Sequence, residues 1–556
     1  MKGLEVTTIE EVLALPDEKI DIATAALLLS KQWDNTVNVE KYRSQIDEKA
    51  MSLKPIIAKA QTPEEIVMAI NKYIFEELKY GAAEPIICTS TQDTVKRDEI
   101  RFFLNSVLDT KRGTCIGLSI LYLSLAERLN IPIYGVSVPG HMFVRYDDNK
   151  IRINIETTAK GKSFSDDWYR ENFKVPAGVQ YLVNISKKHI IGCEYCMLGT
   201  VYFAEGKLDS AITAYKKAIE VRFECAELHS KLADAYIEQS NFDEAITEWK
   251  SAVSINPRRS EIHYNLGTTY VNQGKLDEAI AELKTAISIN PDWAEAHANL
   301  GTAYSKQGKL NEAIAELKIA ISIKPNLPEA HTTLGGVYIN QGKPDEAIVE
   351  WRYAVSSDPD YAPAHYDLGT TYVDQGKFDE AITELKIAIS INSNWAEAYT
   401  NLGFVYHTQG NFEEAIAEFK TAISIKPNLL EARFNLGFVY LSQENLEEAA
   451  AEYKAIIETN PNGAEAHGFL GLIYIKQCKL EEAFTELKMA ISINPNWADA
   501  HYNLACYYSL KNSKEQAIES LRKAIALDAS YADMAKEDKD FDSIKDSAEF
   551  QNLVGM

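Results

Sequence analysis

The sequence predicts a mainly α protein: an α-solenoid of ten helical hairpins over residues 192–531, preceded by a smaller α+β domain over 1–190 and followed by a capping helix in 532–556. Three observations predict it. Leucine recurs every 34 residues from Leu198 to Leu504, ten times and without an insertion. Tyrosine follows each of these leucines four residues later, from Tyr202 to Tyr508. Before residue 190 that period is absent, and helical patterning gives way to alternating, strand-like runs.

The repeat columns have physical reasons. Leucine and tyrosine four apart share one face of a first helix. Glycine follows the leucine in eight units, with Ala233 and Ala505 in the other two, so a second helix can cross closely there. Alanine recurs in all ten units from Ala211 to Ala517, and a second alanine column from Ala218 to Ala524 is broken only by Ile456. In the loop Gln273-Gly274-Lys275-Leu276-Asp277, glycine ends the first helix and aspartate is expected to cap the second. Proline at 257, 291, 325, 359, 427, 461 and 495 ends the second helix. A hairpin cannot bury its apolar stripe alone, so the units must stack.

This period and pattern over 192–531 resemble the tetratricopeptide repeat (TPR). The resemblance implies a right-handed α-solenoid whose first helices line a concave, peptide-binding groove. The sixth position of each unit is expected to face that groove. It is asparagine at Asn265, Asn299, Asn401, Asn435 and Asn503, a side chain that both donates to and accepts from a peptide backbone. Lys231 is the one basic residue in this column, so the carboxylate clamp of chaperone-binding repeats is not expected. Histidine holds the fourth position seven times, at 229, 263, 297, 331, 365, 467 and 501, and reads as filling a half-buried packing site. After Asp533, the residues Phe541, Ile544 and Phe550 are read as the apolar side of the capping helix.

Residues 8–80 read as helices over 10–15, 22–31, 39–49 and 63–78. Lys111-Arg112-Gly113-Thr114-Cys115 then leads into an apolar helix over 116–129. Strand-like runs follow at 133–138 and at 141–146, the latter paired by a hairpin with 151–156. Cys115 falls at the start of its helix, where amide donors and the positive end of the helix dipole favour a thiolate. If Asp147 faces Lys150 across the polar turn, Arg145 faces Arg152 and His141 faces Glu156. A carboxylate beside an imidazole fixes its tautomer and stabilises its cation. Cys115, His141 and Glu156 are therefore candidate nucleophile, base and orienting acid. Asn154, two residues from Glu156 and on the same face, is the alternative third member.

The segments Gly113-Thr114-Cys115, Pro139-Gly140-His141-Met142-Phe143-Val144-Arg145 and Asn154-Ile155-Glu156-Thr157-Thr158 resemble the transglutaminase-like core, a relative of papain-type cysteine enzymes. By that resemblance Cys115 attacks an amide carbonyl, and Glu156 stands where aspartate is more usual. The backbone N–H of Cys115 is the one candidate oxyanion donor.

Composition narrows the partners. The net charge of −24 is uneven: residues 1–190 hold 25 basic and 26 acidic residues, leaving 32 against 55 beyond them. Such a surface repels phosphate backbones, so nucleic acid is not an expected partner. No apolar run approaches the ~18 residues that span a membrane. The acidic start is unlike a signal peptide, so the cytoplasm is the expected compartment. Seven scattered cysteines, among them Cys88 and the Cys193/Cys196 pair, form neither a disulfide framework nor a paired zinc motif, and no cofactor or metal is expected. Two functions follow: a repeat scaffold whose cysteine domain cleaves or transfers the bound protein's amide, as peptidase or acyl transferase, or a non-catalytic adaptor for complex assembly.

Overall fold

A computed structural model describes residues 6–83, 101–175, 181–221 and 225–555; Cys88 lies outside them. The chain divides into two compact units, Met1–Asp292 and Trp293–Met556. Among the described residues no helix is long and apolar enough to cross a membrane.

The first unit opens with four helices, α1 (Ile9–Leu13), α2 (Ile22–Trp33), α3 (Val39–Ile57) and α4 (Pro63–Asn71), the last continuing as a π-helical turn over Lys72–Glu77. Their starts are set by side chains that accept otherwise unpaired amides: Thr8, Asp21, Asn38 and Thr62 each cap one. Each such cap contributes about 1 kcal/mol. β1 (Gly81–Ala82) pairs in parallel with β2 (Arg112–Gly113), between which lies α5 (Leu104–Thr110). α6 (Cys115–Arg128) is buried continuously from Ile116 to Ala126, packed against α2, α3 and the sheet strand β4, which explains its apolar character on all sides.

The main sheet has four antiparallel strands in the order β5-β4-β3-β6: β3 (Ile133–Val138), β4 (His141–Asp147), β5 (Arg152–Ile155) and β6 (Asn184–Ile185), with α7 (Asp166–Asn172) between the last two. Ser186 caps α8 (Lys187–Ala204) immediately after β6, so the sheet runs into the first repeat helix without a free linker. α8 is further tied to the lead-in helices. Asp17 accepts the Lys187 and Lys188 amides at 3.1 and 3.0 Å, and the rings of Trp33 and Tyr202 stand 4.9 Å apart.

Ten hairpins follow with the predicted period. The first unit holds α8 with α9 (Leu208–Val221), α10 (Ala226–Glu238) with α11 (Phe242–Ile255), and α12 (Ser260–Asn272) with α13 (Leu276–Ile289). The second unit holds seven more, α14 (Ala294–Lys306) with α15 (Leu310–Ile323) through α26 (Ala498–Leu510) with α27 (Lys514–Leu527). The glycine column marks the crossings: a Cβ on Gly301 would meet Leu317 Cγ at 2.6 Å, and one on Gly335 would meet the Trp351 ring at 2.4 Å. Asp277 does not cap α13. The helix begins at Leu276 behind Lys275, and Asp277 sits in its first turn, where the carboxylate meets the positive helix end. Two short helices, α28 (Tyr531–Glu537) and α29 (Ala548–Val554), stand in place of the one capping helix expected, and they bury Phe541, Ile544 and Phe550.

Candidate active site

Cys115 is the first residue of α6, behind the cap Thr114, whose hydroxyl accepts the Gly117 amide. The residue is half-buried, and its amide belongs to the first turn, which has no carbonyl of its own helix to bond. Pro139-Gly140 turns β3 into β4, with Gly140 at φ +69°, and delivers His141 as the first residue of β4, opposite Val138. The imidazole Nε2 lies 2.8 Å from Glu156 Oε2, and the Cys115 side chain stands close enough to the ring to raise its pKa. With Nε2 on the carboxylate, Nδ1 is the nitrogen left for sulfur. The structure thus brings Cys115, His141 and Glu156 together.

The hairpin register differs from the expected one. Arg145 faces Asn154 and Asp147 faces Arg152, a slip of two residues. The cause is a four-residue loop built by carboxylates: Asp148 accepts the Lys150 and Ile151 amides at 2.9 and 2.8 Å, Asp147 accepts the Asn149 amide at 3.0 Å, and Asn149 takes φ +70°. A two-residue slip preserves every side chain's face. Glu156 therefore stays on the His141 side, just beyond β5, and reaches the ring diagonally instead of from directly opposite.

Asn154 is held elsewhere. It accepts from Arg145 Nε at 2.7 Å and donates to Asp166 at 2.8 Å and to the Phe164 carbonyl at 2.9 Å. Arg145, almost fully buried, completes that cluster by pairing with Asp166 at 2.6 Å. This network joins β4, β5 and the start of α7 beneath the site.

Glu156 is loaded with donors. Beyond His141 it accepts the Tyr169 hydroxyl at 3.0 Å and both the amide and the hydroxyl of Thr158. Burial alone would raise its pKa, but the imidazole and the Thr158 donors outweigh that and hold the carboxyl below its usual range. Burial likewise works against a charged His141, yet its bonds to Cys115 and Glu156 push the imidazole up to about 9. Phe173 stacks on the ring at 4.7 Å and 13°, and Tyr169 stacks on Phe143 at 3.9 Å.

Tyr169 and Phe173 lie outside the motifs read from the sequence, since α7 reaches the site only through the fold. Thr158 had a local signal: a carboxylate two residues before a threonine amide is a turn-forming pair.

The five asparagines lie half-buried on first helices, Asn265 in the first unit and Asn299, Asn401, Asn435 and Asn503 in the second. Asn401 donates to the Tyr366 hydroxyl at 3.1 Å. Asp367 holds the same column one unit earlier, and burial pushes it up to about 7. The histidine column is a set of staples. Nδ1 of His331 bonds Glu350 at 2.7 Å and Nε2 bonds the Pro325 carbonyl at 2.9 Å. His263, His365 and His467 repeat the pattern. Where the column holds Arg433, the guanidinium takes both partners, Glu452 at 2.8 Å and the Pro427 carbonyl at 3.0 Å.

Comparison with known proteins finds two kinds of match along the chain. The transglutaminase-like superfamily matches residues 40–192. The C-terminal domain of cilia and flagella-associated protein 70 matches 193–388, and tetratricopeptide-repeat families match 369–410, 406–473, 441–507 and 498–531. The chain carries a transglutaminase-like domain followed by TPR repeats. Among individual proteins, it is 30% identical over 140 residues to a UPF0162 protein of Xylella fastidiosa, covering 23% of this chain and 43% of the relative. It thus spans less than half the length of the curated relatives it matches. A TPR protein from Parabacteroides merdae aligns at 20% identity and TM-score 0.35, covering 45% of this chain and 98% of that one. YrrB, described as a TPR protein with an unusual peptide-binding site, aligns at 22% identity and TM-score 0.27, covering 33% and 95%.

Proposed function

We propose that the protein is a cysteine amidohydrolase or acyl transferase, of peptidase or transglutaminase-like chemistry, acting on a protein held by its repeats. TPR proteins bind peptides or proteins, and the present chain joins such a scaffold to a transglutaminase-like domain. The observation that carries the catalytic reading is the placing of the imidazole: Nε2 of His141 on Glu156, with the Cys115 side chain at a helix tip close enough to raise the ring's pKa.

In the proposed cycle Cys115 passes its proton to His141, and sulfur attacks an amide carbonyl carbon of the bound protein. The oxyanion faces the Cys115 amide. His141 then protonates the leaving nitrogen, the C–N bond breaks, and a thioester remains on Cys115. A water or amine attacks that carbonyl with His141 taking its proton, the C–S bond breaks, and the free thiol returns. Glu156 keeps the imidazole in register throughout. The repeats raise the local concentration of substrate by tethering it.

One observation favours the adaptor reading: Phe173 covers a face of the His141 ring, whose side chain is only 14% exposed. An epoxide-based cysteine probe separates the two. The catalytic reading expects a covalent adduct on Cys115, confirmed by peptide mass mapping and lost in His141→Ala. A Cys115 that reacts no faster than in His141→Ala leaves only the adaptor.

A further inference from the structure

Groove binding leaves the partner's chemistry open, and the last two hairpins narrow it. A cavity of about 570 Å³ lies between the first helices α24 (Ala464–Lys476) and α26 and the segment carrying α28. That volume lies in the range of sites that enclose an organic group, well beyond the needs of one metal ion. The Phe469 and Trp497 rings, 6.3 Å apart, form part of its wall. Asp499, Asp538 and Asp540 also line it, opposed by Lys476 alone among the lining residues.

Two of the three carboxylates are fixed by phenol hydroxyls, and among the described residues none of the three is in an ion pair. Tyr502 donates to Asp538 at 2.7 Å, and Tyr531 donates to Asp499. Burial first, and the neighbouring Asp538 after it, push the Asp540 carboxyl up against the lesser pull of Lys476. Aromatic faces beside carboxylates are the surroundings that hold an organic cation.

We propose that this cavity seats the guanidinium or ammonium group of an arginine or lysine in a peptide lying along the first helices. The proposal rests on the groove-binding reading and adds its charge preference. A metal ion is the competing occupant, since ligand atoms of Cys506, Asp538 and Asp540 lie within 4.8 Å of one another. The thiol, however, is raised by burial and donates to Asp538 at 3.8 Å, so it is occupied as a donor.

The test screens the full chain against a bead library of short randomised peptides, then re-synthesises the selected ones with citrulline for arginine and acetyl-lysine for lysine. Selection of basic residues, and a loss of roughly tenfold or more on neutralising them, is expected. Asp540→Asn, and separately Asp499→Asn, should erase that preference while each variant keeps the wild-type thermal melt. Selected peptides that bind equally well after neutralisation overturn the pocket and leave groove binding standing. Selection of no peptide overturns both. A rise in melting temperature with zinc or calcium in wild type, absent in Asp540→Asn, overturns the pocket in favour of a metal site.

Discussion

His141 and His331 each hydrogen-bond a glutamate, at 2.8 and 2.7 Å, and each is largely buried, with side chains 14% and 7% exposed. They differ at the second ring nitrogen. In His331 it meets the Pro325 carbonyl, a group with no chemistry to offer, and the pair closes into a staple between helices. In His141 it is left for a thiol at the tip of α6. An imidazole–carboxylate pair is therefore no sign of catalysis by itself. What stands on the far nitrogen, and whether that group is reachable, decides.

The comparison can be broken most severely at the thiol. His141→Ala should slow alkylation of Cys115 at pH 7 by roughly two orders of magnitude or more, because the proton acceptor is gone. His331→Ala should leave that rate unchanged. Mass-spectrometric labelling rates read both. Glu156→Gln should have the next largest effect. It removes a partner that holds the His141 proton, lowering the ring's pKa by about one unit or more and slowing alkylation roughly tenfold.

The structural pairs should respond in stability instead. His331→Ala leaves the Glu350 carboxylate and the Pro325 carbonyl without their donor, at a cost of about 1–3 kcal/mol in urea unfolding. The pH dependence has a definite sign. The His331 pKa is raised, since its bonds to Glu350 and Pro325 outweigh burial. Its contribution is thus complete below the unfolded value of ~6.5 and fades as pH climbs through the folded one. The gap between wild type and His331→Ala should accordingly narrow in alkaline solution. The smallest effect belongs to the seventh hairpin, where Tyr399 holds the column and Glu418, lacking a basic partner there, is raised by burial. Tyr399→His should complete the staple, stabilise the chain by about 0.5–1 kcal/mol and lower the Glu418 pKa, read by urea unfolding and carboxyl NMR.

The two regions were unequally legible in sequence. In the repeats every unit poses the same packing problem again, so Gly301 and Gly335 betray the helix crossing by recurrence alone. The staples were also on view: glutamate stands 19 residues after each histidine from His229 to His467, and Ser520 replaces it after His501. Reading the histidines as packing residues overlooked that companion column. The N-terminal domain has no second copy to compare. There the His141–Glu156 pairing followed from period-two alternation and tolerated a two-residue error in register. That error came from the side chains of Asp147 and Asp148, which chose a longer loop. Tyr169 and Phe173 could not be read at all, because α7 meets His141 through the fold and not along the strand.

The central claim is that His141 shares its two nitrogens between a carboxylate and a reactive thiol. Selective carbon-13 labelling of histidine and NMR titration measures it most directly. The account predicts a His141 midpoint near 9 that falls in Cys115→Ala, with the staple histidines unmoved. A midpoint near the ordinary ~6.5 of histidine, indifferent to the loss of Cys115, would contradict it.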